Sequence, residues 1–183
     1  MRRSSEAERP LRSSLRLPLL ICAVLGACGG PGAVGRSASV ECAPFARALT
    51  GVPLSGAAAD WWWQAEGRLR RARQPEVGSV LVFRRSGRLP DGHVAVVSRV
   101  VSARRIKVTQ ANWVHHRVTE DQPVIDVSGR GDWSEVRVWW APSGEMGKTD
   151  YPTFGFIRPD RPMRRDQLVA ATPWAIRTAA SGR

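Results

Sequence analysis

The spacing of hydrophobic residues changes along the chain and separates a helical part from a part made of strands. In the stretch VECAPFARALTG, apolar residues from Cys42 to Leu49 recur at the three- and four-residue spacing of one helical face, and Gly51 is a natural helix stop. A second helix is predicted from Asp60, as its N-cap, through WWWQAEGRLRRA. Two helices therefore open the predicted fold.

Apolar and polar residues alternate with a period of two from residue 79 onward, which is typical of strands. Loop and turn residues separate six such segments, at residues 79–85, 93–101, 106–113, 123–129, 135–141 and 151–159. Short connections predict an antiparallel meander. The order of elements predicts an α+β fold in which N-terminal helices pack on an antiparallel β-sheet.

The same alternation brings polar side chains onto neighbouring strands. His93 begins one strand on the face of its apolar neighbours, and Gln110 and Asn112 lie on one face of the next strand. If this sheet face packs on the first helix, the thiol of Cys42 meets the imidazole and the carboxamides in one cleft. Such a set contains a nucleophile, a base and a group that orients the base.

The N-terminal residues have the pattern of an export signal. An arginine-rich start, MRRSSEAERPLRSSLR, precedes LPLLICAVLGA, an apolar run too short for a permanent membrane span. LGACGG then resembles the lipobox of bacterial lipoproteins, with Cys28 as the acylated residue; an ordinary signal peptide cut a few residues later is the alternative. We predict a signal peptide over residues 1–27 and a flexible linker over 28–39. Because Gly29 is not acidic, the predicted location is the periplasm, with a lipid anchor in the outer membrane.

Cys42 is then the candidate nucleophile. Cys22 leaves with the signal and Cys28 carries lipid, so Cys42 has no partner for a disulfide. An inert, buried cysteine is the alternative. The position at a helix N-terminus favours a nucleophile, because the partial positive charge there lowers a thiol pKa. The backbone N–H of Cys42 is the predicted oxyanion donor.

These residues lie in four motifs that resemble the CHAP domain, a family of cysteine- and histidine-dependent amidohydrolases and peptidases of peptidoglycan. The motifs are ECAPFA, GHVAVV, VTQANW and PTFGFI, and their order and separation are more specific than any one of them. The resemblance covers residues 40–158. It implies a papain-like α+β fold, related to the NlpC/P60 peptidases, with Cys42 and His93 as the active pair.

The third site residue is open between two carboxamides. Many CHAP members have Glu where this chain has Gln110, two residues before Asn112. A neutral amide must then hold the imidazole. Asn112 is favoured because its shorter side chain has fewer rotamers to fix, and Gln110 is the alternative.

The resemblance implies acyl transfer through a thioester on Cys42, with the peptide stems of peptidoglycan as substrate. An enzyme of this kind is an amidase or an endopeptidase. No cofactor and no metal are predicted. His115 and His116 are adjacent and point opposite ways on an extended chain, so they do not form a metal site. The sequence does not distinguish which amide bond is cut.

Composition adds two competing hypotheses. The formal charge of +12 and the eight tryptophans suit an anionic polymer, so the domain is alternatively a non-catalytic module that binds the cell wall. Nucleic acid is disfavoured because the basic residues are scattered and an export signal precedes them. Trp62, Trp63 and Trp113 are candidates for a substrate groove or, equally, for packing.

The last residues lie beyond the resemblance. The segment 159–183 is rich in Pro and Arg, and we predict a flexible tail with a brief helix over RRDQLVAA. A monomer is expected.

Overall fold

The computed structural model describes residues 35–182, which contain nine strands and three α-helices. The predicted signal peptide, the lipobox with Cys28 and the first part of the linker lie outside these residues. In chain order, the elements are β1 (Arg36–Ser37), α1 (Cys42–Thr50), α2 (Trp61–Gln64), β2 (Arg70–Ala72), β3 (Val80–Phe83), β4 (His93–Ser102), β5 (Arg105–Ala111), β6 (Arg117–Asp126), β7 (Glu135–Trp140), β8 (Glu145–Met146), β9 (Tyr151–Arg158) and α3 (Arg165–Ser181).

Six of the strands close into an antiparallel barrel. The neighbours run β6, β5, β4, β3, β9 and β7, and β7 pairs back onto β6 through Val124 opposite Val138 and Asp126 opposite Val136. The short strands β1, β2 and β8 pair with β6, β9 and β7. The prediction of a papain-like α+β fold, with N-terminal helices packed on an antiparallel β-sheet, is therefore wrong, because the described chain is mostly β and its sheet closes into a barrel.

Closure depends on β6 pairing along both of its edges. β6 pairs with β5 over residues 118–125 along one edge and with β7 over residues 124–126 along the other. The sequence pattern predicted this strand from residue 123, whereas β6 begins at Arg117, and it did not predict the second pairing. A period of two predicts which side chains share a face, but an open and a closed sheet have the same period.

Both faces of the central strands are buried, each in a different core. Leu81 and Phe83 face a cluster made by the strands themselves, together with Trp133, which fills the barrel. Val80 and Val82 face the outside of the barrel, where the helices cover them. Two cores explain why β3 and the first half of β4 are continuous apolar runs.

Two helices pack together on the outer core, and one of them comes from the predicted tail. α3 contacts α1 and extends ten residues past the brief helix that we predicted over residues 164–171. Its buried residues include Leu168 and Ala175. Arg165 also donates to Asp121 on β6 at 2.6 Å. The C-terminal segment is thus part of the folded domain and supports the helix that carries Cys42.

The predicted second helix is only one turn long. α2 ends at Gln64, and residues Arg70–Ala72 form β2 and pair with β9 instead. Trp61 is fully buried, which anchors the turn, while Trp63 is 59% exposed. Three adjacent indoles cannot share one helical face, so the chain buries one and then leaves the helix. No helix within residues 35–182 is long and apolar enough to cross a membrane.

Candidate functional site

Cys42 is the first residue of α1, and its thiol meets three backbone N–H groups. Burial is the largest influence on the pKa of the thiol and raises it, and the charge of Glu41 raises it further. Hydrogen bonds from the backbone N–H groups of Val94, Ala43 and Cys42 itself lower the pKa, but the net direction is upward. We expected the helix N-terminus to lower this pKa, but burial outweighs that effect. The thiol is therefore protonated in the free protein at neutral pH.

His93 begins β4 and is buried, with 4% of its surface exposed. The rings of Phe83 and Trp113 pack edge-on against the imidazole, with centroids 5.4 and 5.0 Å away. Burial lowers the pKa of His93 to about 4, and the hydrogen bond to Gln110 offsets part of that effect. The imidazole is consequently neutral at pH 7 and able to accept a proton.

Gln110 holds the imidazole. Its Oε1 lies 3.0 Å from His93 Nε2. A carboxamide oxygen only accepts, so Nε2 carries the proton and Nδ1 has the free lone pair. The bond fixes the ring and its tautomer, which are the tasks of an orienting group.

Asn112 serves a different contact, against the preference that the sequence suggested. Its Nδ2 donates to Glu41 Oε2 at 2.8 Å, and its Oδ1 accepts the backbone N–H of His116 at 3.0 Å. Asn112 lies past the end of β5 with a left-handed φ of 57°, so the strand alternation no longer directs its side chain. Asn112 therefore ties the N-cap of α1 to the turn after β5, and Gln110 faces His93.

A cleft of two lobes surrounds these residues. The first, which we name the thiol lobe, has a volume of about 720 Å³ and is lined by Cys42, Glu41 and Arg47 of α1 and its N-cap, by residues 54–58, and by residues 88–93. The second, which we name the aromatic lobe, has a volume of about 530 Å³. The residues that line the aromatic lobe include Trp113, Trp140, Tyr151, Glu145 and Lys148. His93, Asn112, Arg88 and Leu89 line both lobes.

The loop before His93 depends on a glycine. Gly92 has a φ of 73°, and a Cβ at this position would lie 2.7 Å from Phe83 O and from the Cβ of Ala59. The same loop accepts a hydrogen bond from Ala59, whose N–H lies 2.9 Å from Asp91 O. Only glycine allows β4 to begin here with His93 facing the cleft.

The three predicted groove tryptophans separate into two places. Trp113 lies in the aromatic lobe, where its ring is edge-on to Tyr151 at 5.0 Å. Trp62 stacks on Phe154 at 5.7 Å, Trp63 packs edge-on against the same ring, and neither lines the two lobes. Trp113 alone of the three is positioned beside His93.

The adjacent histidines do not point opposite ways. The rings of His115 and His116 stack with centroids 3.7 Å apart, because His116 has a left-handed φ of 54° rather than an extended one. Within the described part of the chain, no group of three His, Cys, Asp or Glu side chains is arranged to hold a metal ion.

Sequence reasoning missed the residues that complete the cleft from loops. Arg88, Glu145 and Lys148 lay in no motif, since loop charges are usually solvated and have no period. Glu41 is the first residue of the ECAPFA motif, but the sequence assigned it no role. Trp140 and Tyr151 did lie at the ends of predicted strands. Their position in the same lobe as His93, however, follows from pairings between distant strands, in which β9 lies next to β3 and β7 lies next to β9.

Comparison with known families gives the same domain that the motifs suggested. The family model of the CHAP domain matches residues 33–112. The match includes Cys42, His93, Gln110 and Asn112, and it confirms the resemblance over this range. No curated protein matches the chain. The CHAP match indicates peptidoglycan hydrolase or amidase activity in general terms.

Proposed function

We propose that this protein is a cysteine-dependent hydrolase that cuts amide bonds in the peptide stems of peptidoglycan. The observation that carries the proposal is the buried, neutral imidazole of His93, held by Gln110 in a cleft that Cys42 also lines. A histidine oriented in this way, in the same cleft as a thiol, is the arrangement expected of a general base and its nucleophile.

The mechanism begins from a neutral pair, because burial keeps the thiol protonated and the imidazole unprotonated. As Cys42 Sγ attacks the amide carbonyl carbon, Nδ1 of His93 takes the thiol proton. The carbonyl oxygen becomes an oxyanion, for which the backbone N–H of Cys42 at the start of α1 is the proposed donor.

The second half of the reaction returns the proton. The C–N bond breaks, the imidazolium gives its proton to the leaving amine, and a thioester remains on Cys42. Water, deprotonated by His93, then attacks the thioester and releases the acid. Gln110 Oε1 accepts from Nε2 throughout, so the imidazolium keeps its orientation during each transfer.

The test is mass spectrometry of muropeptides released from purified sacculi by the protein and by Cys42→Ala. Products that appear with the first and vanish with the second establish the hydrolase, and their masses identify the bond. A Ser37→Ala variant, altered at an exposed residue close to Cys42 in sequence but outside the two lobes, is the matched control and retains release. Absence of new products with the unaltered protein refutes catalysis on this substrate.

A wall-binding module is the second candidate, and the raised pKa of Cys42 is the observation that favours it. In that case the thiol is an inert packing residue. Sedimentation with sacculi separates the two functions: a binding module co-sediments and releases nothing, and Cys42→Ala binds equally well.

We also propose that the protein is exported and anchored by a lipid on Cys28, as a periplasmic monomer attached to the outer membrane. The support is the sequence pattern of residues 1–29. Metabolic labelling with a fatty acid tests the anchor, since the label is lost in Cys28→Ser. Cleavage as an ordinary signal peptide leaves both proteins unlabelled and overturns the anchor.

A further inference from the structure

The aromatic lobe has a floor of rings and two charged walls. Trp113 and Tyr151 form the floor beside His93. Arg88, in the loop between β3 and β4, forms one wall. The hairpin of β7 and β8 forms the other, with Trp140 opposite Glu145 in register and Lys148 just beyond. The lobe therefore offers apolar ring surface next to the imidazole, and charged side chains from two separate segments also line it.

The chemistry of acyl transfer assigns a direction to the cleft. The nucleophile bonds to the carbonyl carbon, so the acyl component must lie where the thiol is, and Cys42 lines the thiol lobe alone. The proton goes from the imidazole to the leaving nitrogen, so the amine component must lie against His93, which lines both lobes. A substrate that spans the cleft thus places its amine component in the aromatic lobe.

The charges of this lobe are free to meet a ligand. Within residues 35–182, Arg88, Lys148 and Glu145 form no ion pair. Nearby charges are paired, as in Arg85 with Asp60 and Arg137 with Asp150. Two unpaired cations against one anion give the lobe a net positive charge, which complements a carboxylate.

We propose that the aromatic lobe is the subsite for the amine component of the scissile amide, and that Lys148, assisted by Arg88, selects amine components that carry a carboxylate. The inference rests on the proposed hydrolase function for its direction. Trp140 packs on the same amine component, and this contact does not depend on the charge of the component. Glu145, the anion of the lobe, opposes the carboxylate and limits the preference.

The experiment measures binding of product-like peptides to the Cys42→Ala protein by isothermal titration calorimetry. The probes are the dipeptide L-alanyl-D-glutamate and its diamide, in which neutral carboxamides of similar shape replace the two carboxylates. We expect the dicarboxylate to bind roughly fivefold more tightly than the diamide, as for an exposed ion pair. Lys148→Gln reduces this preference, the double change of Lys148 and Arg88 to Gln removes it, and Glu145→Gln increases it. Trp140→Ala weakens both probes and leaves their ratio unchanged.

Two results overturn the inference: equal binding of both probes to Cys42→Ala, or a preference that persists when Lys148 and Arg88 are both changed to Gln. The muropeptide assay keeps this failure distinct from failure of the proposed function. Release of products without probe selectivity refutes the subsite alone. Selectivity that depends on Lys148, without release of products, supports the anion-selective subsite and refutes the hydrolase.

Discussion

The buried imidazole of His93 makes the stability of this protein depend on pH. In the unfolded chain the imidazole takes a proton as the pH falls through its ordinary pKa of 6.5, whereas the folded protein resists protonation until about pH 4. Between these values the unfolded state binds more protons, so the free energy of unfolding decreases as the pH decreases. The contribution is fully present above pH 6.5 and is lost toward pH 4.

The size of the effect follows from the shift. A pKa lowered from 6.5 to about 4 corresponds to roughly 3 kcal/mol, of which about 2.5 kcal/mol is lost between about pH 7.5 and about pH 4.5. The assay is urea unfolding at both pH values, followed by tryptophan fluorescence. His93→Gln cannot titrate, so its stability should fall by about 2.5 kcal/mol less than that of the unaltered protein over the same interval.

The control is Val101→Thr, because Val101 is exposed, lies outside both lobes and carries no titratable group. This variant should keep the pH dependence of the unaltered protein, including the contributions of the carboxylates that both share. Equal loss of stability in His93→Gln and in the unaltered protein would mean that the folded imidazole titrates normally. The neutral resting pair, and the mechanism built on it, would then be wrong.

Three further predictions concern the cleft. Gln110→Leu leaves His93 Nε2 without an acceptor and should lower kcat/KM for muropeptide release about 10- to 100-fold. Gln110→Glu should raise the pKa of His93 and move the acid limb of the pH–rate profile to higher pH. An unchanged rate in Gln110→Leu contradicts the orienting role. Glu41→Gln removes a negative charge that raises the pKa of the adjacent thiol, so the pH midpoint of alkylation by iodoacetamide should fall, and a midpoint that stays or rises contradicts this. Gly92→Ala should lower the free energy of unfolding in urea by at least about 2 kcal/mol, because Gly92 has a left-handed φ and its Cβ would contact the backbone. Gly87→Ala, in open space in the same loop, should leave the stability unchanged. Equal stability of the two variants would refute the constraint.

The sequence by itself determined the local structure of the site. The helix that begins at Cys42 and the strand that begins at His93 follow from spacing alone, and both occur at the predicted residues. The six predicted strands all correspond to strands of the barrel. Alternation also placed Gln110 on a buried face, where it now meets His93. These features depend on near neighbours along the chain, so a period of two or of 3.6 is sufficient to predict them.

Local deviations from that alternation were decided by the folded backbone. Gln110 and Asn112 are two residues apart and would share one face of a regular strand, so the sequence could not separate their roles. The left-handed conformation of Asn112 turns its side chain toward Glu41 and leaves Gln110 with the imidazole. The same conformation at His116 brings two histidine rings together that an extended chain would separate.

Tertiary structure alone decided the closure of the sheet, the direction in which the pKa of the Cys42 thiol shifts, and the formation of the aromatic lobe. Closure requires β6 to meet β7, and burial of Cys42 requires the helix to pack on β4, so neither is encoded in a short window. The aromatic lobe joins Arg88, Trp113 and Lys148, which are far apart in the sequence. Contacts between distant residues depend on the whole arrangement of strands, because each pairing fixes the position of the next.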